Sequence, residues 1–205
     1  MKTMLCRGVV FSLIAGAVFA GDIQLPAPQK TGGMPLMQAL AARESSRSFS
    51  SRELDSQKLS DLLWAACGIN RDDGKRTAPS ARNRQEIDLY VALPSGLYLY
   101  KPQGNLLKQV FSEDIREVVG KQGFTQKAPV NLIYVADYTR MKGEEDFYSA
   151  TDTGFISQNV YLFCASEGLH TVVLGWVDRD ELHAAMKLNP DQHIILTQPV
   201  GFPPN

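Results

Sequence analysis

The feature that most constrains the fold is a helical pattern over residues 144–167, the longest in the chain. Its apolar side chains recur at helical spacing on a broad arc: Phe155, Ile156, Val160, Leu162 and Phe163. An arc this wide predicts a helix that is buried on much of its circumference. Ser157 and Asn159 interrupt it with polar groups, which lower stability unless packing or hydrogen bonds compensate. The rest of the chain must therefore supply a core around this helix.

Shorter patterns on either side predict further helices and strands. We expect helices over residues 34–42, 55–67, 112–119 and 178–186, and strands over residues 86–93, 97–101, 129–136, 170–176 and 193–200. A Pro94-Ser95-Gly96 turn joins the first two strands in a hairpin. Helices interspersed with a hairpin and separated strands predict an α+β domain.

The first twenty residues have the composition of an export signal. Lys2 and Arg7 precede an apolar run that ends in AVFA at residues 17–20, a pattern typical of a cleavage site. The run is short for a membrane span, so cleavage after Ala20 is favoured over an uncleaved anchor. We therefore expect an exported, periplasmic protein. Residues 21–33, rich in proline and glycine, would follow as an irregular lead-in.

The charge balance argues against nucleic acid as the main partner. The chain has 21 Lys+Arg and 22 Asp+Glu residues, with no block of like charge. Signal cleavage would leave two cysteines, Cys67 and Cys164, each within an apolar helical pattern. Buried free thiols are favoured, although an oxidising compartment would permit a disulfide between them.

The stretch RESSRSF at residues 43–49 is the first candidate anion site. Arg43 and Arg47 are four apart, so a continued helix would place both guanidinium groups on one face. The planar fork of arginine donates two parallel hydrogen bonds to a phosphate, and Ser45 adds a hydroxyl. Alone, the pattern is more typical of an exposed helix end than of a phosphate site.

The stretch APSARNRQ at residues 78–85 is a second candidate. Pro79 and Ser80 lie in a loop of small residues, which would let a planar ligand approach the backbone. Asn83 and Gln85 each offer donors and acceptors, which suit the edge of a heteroaromatic ring. The alternative is a capped turn that leads into the hairpin.

Three features in order resemble the nitroreductase superfamily. They are R-x-S-x-R-x-F at residues 43–49, A-P-S-x-x-N-x-Q at residues 78–85, and a Q-N helix followed by G-L and an apolar strand. The similarity covers residues 34–202 and is strongest to stand-alone members grouped with azoline dehydrogenases. It implies an FMN-binding domain over residues 34–205, with a mixed central sheet flanked by helices. It also implies a homodimer with flavin at the subunit interface and the long helix at the dimer core.

The resemblance further implies roles for individual residues. Arg43, Ser45 and Arg47 would hold the phosphate and ribityl chain, or the nearby pyrimidine edge. The flavin would be bordered, in part from the other subunit, by Pro79, Ser80, Asn83 and Gln85. Leu174 and Gly175 would direct their backbone N–H groups at the edge of the flavin ring that carries N5 and O4.

One position departs from the family pattern. Many members carry a basic residue after a final G-[YF]-P segment, where it contacts phosphate, but here only Pro204 and Asn205 follow. Loss of one charge-assisted contact worth about 1.5–3 kcal/mol would weaken FMN binding 10- to 100-fold. Candidates to compensate are the basic residues of the polar loop: Arg71, Lys75, Arg76, Arg82 and Arg84.

These features predict an exported FMN oxidoreductase that acts on a small-molecule substrate by a ping-pong flavin cycle. Because NAD(P)H is cytosolic, a redox partner protein or a quinol is the expected donor, unless the flavin is reduced by the substrate and reoxidised elsewhere. Two alternatives remain open: an azoline-type peptide dehydrogenase, and a flavin- or ligand-binding module without turnover. No catalytic side chain is assigned because the flavin would carry the chemistry. The three histidines lack metal-ligand spacing.

Overall fold

The central element of the fold is a seven-stranded sheet with helices on both faces. The computed structural model describes residues 21–143 and 145–204. The helices are α1 (Leu36–Ala42), α2 (Ser56–Cys67), α3 (Glu145–Glu167) and α4 (Arg179–Met186). The strands are β1 (Ile23–Gln24), β2 (Ile87–Leu93), β3 (Gly96–Lys101), β4 (Leu106–Phe111), β5 (Val130–Asp137), β6 (His170–Thr171) and β7 (Gln192–Gly201). The predicted α+β class is confirmed, while the predicted signal segment lies outside the described residues.

The strands are arranged in the order β1-β4-β3-β2-β5-β7-β6, and each neighbouring pair is antiparallel. The expectation of mixed strand directions is therefore wrong for these pairs. Strands β2, β3 and β4 follow one another through short turns, which can join only antiparallel neighbours. The helices α3 and α4 then return the chain so that β7 runs opposite to β5.

The predicted hairpin is confirmed, and a third strand extends it. Gly96 closes the turn at φ +131°, and a Cβ there would lie 2.3 Å from the carbonyl oxygen of Phe111. Strand β4 was not predicted from the sequence. It follows a turn in which Gly104 and Asn105 both have positive φ, and it pairs with β3 along its length.

Local signals set the bounds of the first two helices. Pro35 occupies the N-cap of α1, so this helix begins at Leu36 rather than at residue 34. The Asp55 carboxylate accepts a hydrogen bond from the Lys58 backbone N–H at 2.7 Å and so caps α2. Gly68 ends α2, as predicted.

The long helix α3 packs one side against the sheet and α2. Ile156 and Val160 are buried in a core shared with Leu62. Phe147 and Phe155 lie on the other side and remain 65% and 44% exposed. Within one chain, the helix is therefore buried on one side only, although its apolar arc predicted wider burial.

The second face of the sheet is covered by α4. Leu182 and Met186 of this helix are buried in a core shared with Tyr90 and Ile133. The Asp178 carboxylate caps α4 by accepting the Glu181 backbone N–H at 3.3 Å, as predicted. The sheet is thus a central layer, and its edge strand β6 and the neighbouring β7 contact α3.

Two predicted elements are shorter in the structure. The helix expected over residues 112–119 is a single 3₁₀ turn at Arg116–Val119. The Asp114 carboxylate accepts both the backbone N–H and the guanidinium of Arg116, a local arrangement that competes with a longer helix. The strand expected over residues 170–176 is reduced to His170–Thr171, because Val173 donates its N–H to the Tyr161 hydroxyl instead of a strand.

The lead-in at residues 21–33 is more ordered than predicted. It contains β1, and Leu25 is buried in the main core. The Ser60 hydroxyl donates to the Pro26 carbonyl at 2.6 Å, and Asp61 accepts the Gln29 N–H at 2.7 Å. The segment therefore lies across α2 as a packed strap.

The two cysteines of the described region match the favoured interpretation. Cys67 and Cys164 are buried and carry free thiols. Burial raises the pKa of the Cys67 thiol to about 11, which keeps it protonated near neutral pH. Of the helices within residues 21–143 and 145–204, none combines the length and apolar character needed to cross a membrane.

Candidate functional site

The arginine-serine segment lies outside α1, which ends at Ala42 as the sequence predicted. Arg43 is the C-cap of α1, with ψ at 121°, so the chain turns out of helical geometry before Ser45. The helix does not continue, so Arg43 and Arg47 do not share a helix face. Arg43 is half-buried, whereas Ser45 and Arg47 are exposed.

Tyr161 of α3 joins this segment to the chain that follows β6. Its hydroxyl lies 2.9 Å from the Ser45 hydroxyl and accepts the Val173 backbone N–H at 2.9 Å. The Arg43 guanidinium lies 5.3 Å from the centre of the Tyr161 ring. Sequence reasoning missed this residue, since its only signal is a hydroxyl on an otherwise apolar part of the helix.

Phe49 anchors the other end of the segment. It is buried, with its ring 5.8 Å from Phe124 and 6.4 Å from His170. The His170 Nδ1–H donates to the Ser48 carbonyl at 2.7 Å. The aromatic position of the RESSRSF motif is thus structural, and it fixes the backbone from which Arg47 projects.

Three arginines along this segment carry unneutralised charge. Among the described residues, no carboxylate forms an ion pair with Arg43, Arg47 or Arg52. The Arg52 guanidinium lies 4.0 Å above the Phe202 ring, and Ser50 donates its N–H to the Phe202 carbonyl at 2.9 Å. The arginine segment and the C-terminal G-F-P segment are therefore adjacent, and the arginines remain available to an anion.

The backbone groups expected at Leu174 and Gly175 behave differently from each other. Leu174 donates its N–H to the Thr197 carbonyl at 2.8 Å, so it is already satisfied and the prediction is wrong for this group. Gly175 is exposed, and its N–H has no acceptor among the described residues. A Cβ at Gly175 would lie 3.8 Å from the Leu196 side chain, so a larger residue would also fit. Of these two N–H groups, only that of Gly175 is free to donate to a ligand.

The second predicted stretch forms a compact, strained turn. The Ser80 hydroxyl accepts the Gln85 N–H at 2.9 Å, and the Gln85 side chain donates to the Asn83 side chain at 3.1 Å. Arg82, Asn83 and Gln85 have φ of 53°, 54° and 50°. Non-glycine residues adopt such angles at a cost unless surrounding contacts hold them. Pro79 and Asn83 are exposed, whereas Ser80 and Gln85 are half-buried.

Two polar anchors hold this turn against the body of the fold. Asp152 of α3 accepts the Ala81 N–H at 2.8 Å. The Arg140 guanidinium donates to the Gln85 carbonyl at 2.8 Å and to Asp88 at 2.6 Å. Neither Asp152 nor Arg140 was identified from the sequence, because each is more than fifty residues from the loop.

The two predicted halves of the site lie apart within one chain. The arginine segment meets α3 at Tyr161, and the strained turn meets it at Asp152. Nine residues separate these positions, which is about 13 Å along a helix axis. No hydrogen bond within the described part of the chain connects the two halves.

The cavities show the same separation. A groove of about 680 Å³ between residues 29–33, α2 and α3 contains none of the predicted site residues. A pocket of about 190 Å³ beside Tyr161 and His170 borders the arginine segment, and a small cavity of about 10 Å³ lies under Ser80 and Gln85. None of these cavities joins both halves. In the described residues, histidine, cysteine and carboxylate side chains form no cluster suited to a metal ion.

Comparisons with known proteins agree on one family. Residues 40–202 match the profile of the Nitroreductase family. A protein of Methanocaldococcus jannaschii assigned as a nitroreductase is 31% identical over 194 residues, which covers 88% of this chain and 96% of that protein. A crystal structure from Ralstonia eutropha JMP134, likewise assigned, shares 41% identity at a TM-score of 0.87, covering 100% of this chain and 97% of its own. A Desulfovibrio desulfuricans structure in complex with FMN, 20% identical at a TM-score of 0.64, covers 85% of this chain and 89% of its own and shares the fold.

Proposed function

The chain belongs to the nitroreductase family of oxidoreductases, and from that premise we propose that it works as an FMN-dependent oxidoreductase. The observation that carries the proposal is a set of arginines in the segment between α1 and α2, beside the exposed Ser45 hydroxyl, which form no ion pair with any described residue. Unpaired guanidinium groups on a fixed backbone are suited to a phosphate monoester. The FMN complex of a protein with this fold supports the choice of cofactor.

The chemistry of the described residues fits this cofactor. Arg43, Ser45 and Arg47 would hold its phosphate end, and the exposed Gly175 N–H would face a ring acceptor. Tyr161 fixes the Ser45 hydroxyl and the backbone at Val173 relative to each other. When bound, FMN would supply two-electron transfer, with donor and acceptor binding in turn in a ping-pong cycle.

The missing basic residue after the G-F-P segment has a candidate replacement. Arg52 lies over Phe202 itself, and its side chain has no ion pair within the described residues. Two of the loop cations proposed from the sequence are engaged elsewhere, since Lys75 pairs with Asp73 and Arg71 donates to the Arg76 carbonyl. We therefore assign the compensating charge to Arg52.

We propose a homodimer in which each site takes residues from both subunits. The exposed aromatic side of α3 and the exposed Leu36, Met37 and Leu40 of α1 support a covered surface here. The separation of the two predicted halves along α3 supports the same arrangement, because a second subunit could bring its strained turn to the arginine segment. A single subunit would have only half of a site at the arginine segment and only half at the strained turn.

The proposed location is the periplasm, after removal of residues 1–20. An exported enzyme lacks the cytosolic NAD(P)H pool, so we propose a redox partner protein or a quinol as the electron donor, with a small molecule as acceptor. Periplasmic fractionation of the tagged chain, with size measured before and after export, tests both the location and the cleavage.

A binding module without turnover is the second candidate. The observation that favours it is the Leu174 N–H, which donates to Thr197 and so leaves one fewer donor for a ring. Purified residues 21–205 distinguish the two candidates. An oxidoreductase binds FMN and is reoxidised by an electron acceptor after chemical reduction, whereas a binding module retains flavin without turnover.

A further inference from the structure

A pair of buried carboxyl groups lies directly beneath the strained turn at residues 80–85. Glu86 is fully buried, and Asp152 is 3% exposed. Neither carboxyl oxygen of Glu86 has a hydrogen-bond partner among N–H and O–H donors of the described residues. The Asp152 side chain is in contact with that of Glu86, and its carboxylate accepts the Ala81 N–H at 2.8 Å. Two acceptors therefore face each other without a donor between them.

A proton bound between the Glu86 and Asp152 carboxyl groups would supply the missing hydrogen-bond donor. Two ionised carboxylates in contact repel each other, and neither is solvated by water here. With one proton, the Glu86 hydroxyl donates to Asp152, and the remaining negative charge stays on the group that accepts the Ala81 N–H.

The surrounding charges do not remove the need for this proton. The Arg140 guanidinium is directed at Asp88, Asp137 and the Gln85 carbonyl, and it opposes the repulsion only in part. Arg76 reaches the small cavity that Asp152 also lines, where its Nε has no partner. The remaining titratable group lining that cavity is the buried Cys67 thiol.

We propose that Glu86 and Asp152 share a single proton, and that this hydrogen-bonded pair holds the turn at residues 80–85 in place, including its left-handed residues Arg82, Asn83 and Gln85. Glu86 is thus a positioning residue, which acts on the turn through Asp152 and Ala81. The inference goes beyond the proposed function, because it concerns the free protein and needs no flavin. Loss of the proton to solvent would place two negative charges together and release the Ala81 anchor.

The direction of the pH effect follows from burial. Burial and the adjacent Asp152 carboxyl raise the pKa of Glu86 to about 7, against the opposing influence of its own backbone N–H and Arg140. The turn is therefore held most firmly in acid, and its hold weakens as the pH rises from about 4.5 to about 7, above which it changes little. A turn held only by packing would show no such dependence.

Hydrogen exchange of the purified full-length protein tests the proposal. We expect protection of the amides of residues 80–86, corrected for intrinsic exchange, to fall about 30-fold between pH 5.5 and pH 8, since up to about pH 7 the closed turn keeps a proton that the opened turn has lost. In Glu86→Gln, an uncharged donor replaces the shared proton, so protection at pH 8 should stay within about twofold of its value at pH 5.5. Glu113→Gln, which alters an exposed carboxyl, should behave as the wild type does.

A second variant and a measurement on the wild type also test whether Glu86 and Asp152 share a proton. In Asp152→Asn, the amide can donate to an ionised Glu86, so the pH dependence should move into the ordinary acid range. In the wild type, carboxyl ¹³C NMR should reveal one glutamate that titrates near pH 7, which requires no variant to fold. The proposal is overturned if every glutamate titrates in the ordinary acid range, or if Glu86→Gln keeps the wild-type pH dependence.

Discussion

Replacement of Tyr161 by phenylalanine tests the connection that builds the arginine half of the site. The change removes the hydroxyl that binds Ser45 and Val173, each at 2.9 Å, and keeps the ring beneath Arg43. The Ser45 bond is exposed, so its loss costs little. The Val173 N–H is half-buried, and leaving it without an acceptor costs about 1–2 kcal/mol of unfolding free energy. For a chain of this size, that corresponds to a fall in melting temperature of roughly 2–8 °C.

Urea unfolding followed by tryptophan fluorescence measures this loss, with flavin titration in parallel. Tyr148→Phe is the matched control on the same helix, because the Tyr148 hydroxyl has no hydrogen bond in the described part of the chain. We expect Tyr161→Phe to be less stable than Tyr148→Phe and to bind FMN more weakly, since Ser45 and Val173 lose their common partner. Equal stability and equal FMN affinity in the two variants would refute the role assigned to Tyr161.

Three further perturbations address the remaining features. Arg52→Gln should weaken FMN binding roughly 10-fold or more and leave riboflavin binding unchanged, since only FMN carries a phosphate, while Lys108→Gln on β4 should alter neither. The pKa of Glu86 is raised in the fold, so the free energy of unfolding should fall by up to about 3 kcal/mol from pH 4.5 to 7, and Glu86→Gln should abolish that fall in urea titrations. If the proposed dimer forms, Phe155→Glu should convert it to a folded monomer in sedimentation experiments, whereas Val110→Glu, also an exposed apolar site, should leave it intact; a dimer that survives Phe155→Glu would contradict the placement of Phe155 in the interface.

Features with local signals could be predicted from the sequence. The range of α2 and the glycine turn at residue 96 were both predicted, because capping and positive φ depend on adjacent residues. The α+β class followed from the order of such elements. Strand β4 was not predicted, because polar and apolar residues alternate only weakly in it and its position depends on pairing with β3.

The parts of the site that sequence reasoning missed depend on distant contacts. The Tyr161 hydroxyl accepts the Val173 N–H just after β6 and so limits that strand to two residues, which no local pattern reveals. Asp152 meets Ala81 across 71 residues of sequence, and Arg140 meets Gln85 across 55. The motif residues themselves were identified by their chemistry, but their supporting contacts became visible only in the folded chain.

The grip of Arg43 and Arg47 on a phosphate is the central claim, and parallel calorimetric titrations of FMN and riboflavin into residues 21–205 test it most directly. The two ligands differ only in the phosphate, so the difference between their binding free energies isolates its contact with the protein. We predict that FMN binds at least about tenfold more tightly, and that this difference shrinks in Arg43→Gln and in Arg47→Gln while riboflavin affinity is unchanged. Equal affinity for the two ligands in the wild type, or a preference for FMN that persists in both variants, would contradict the account.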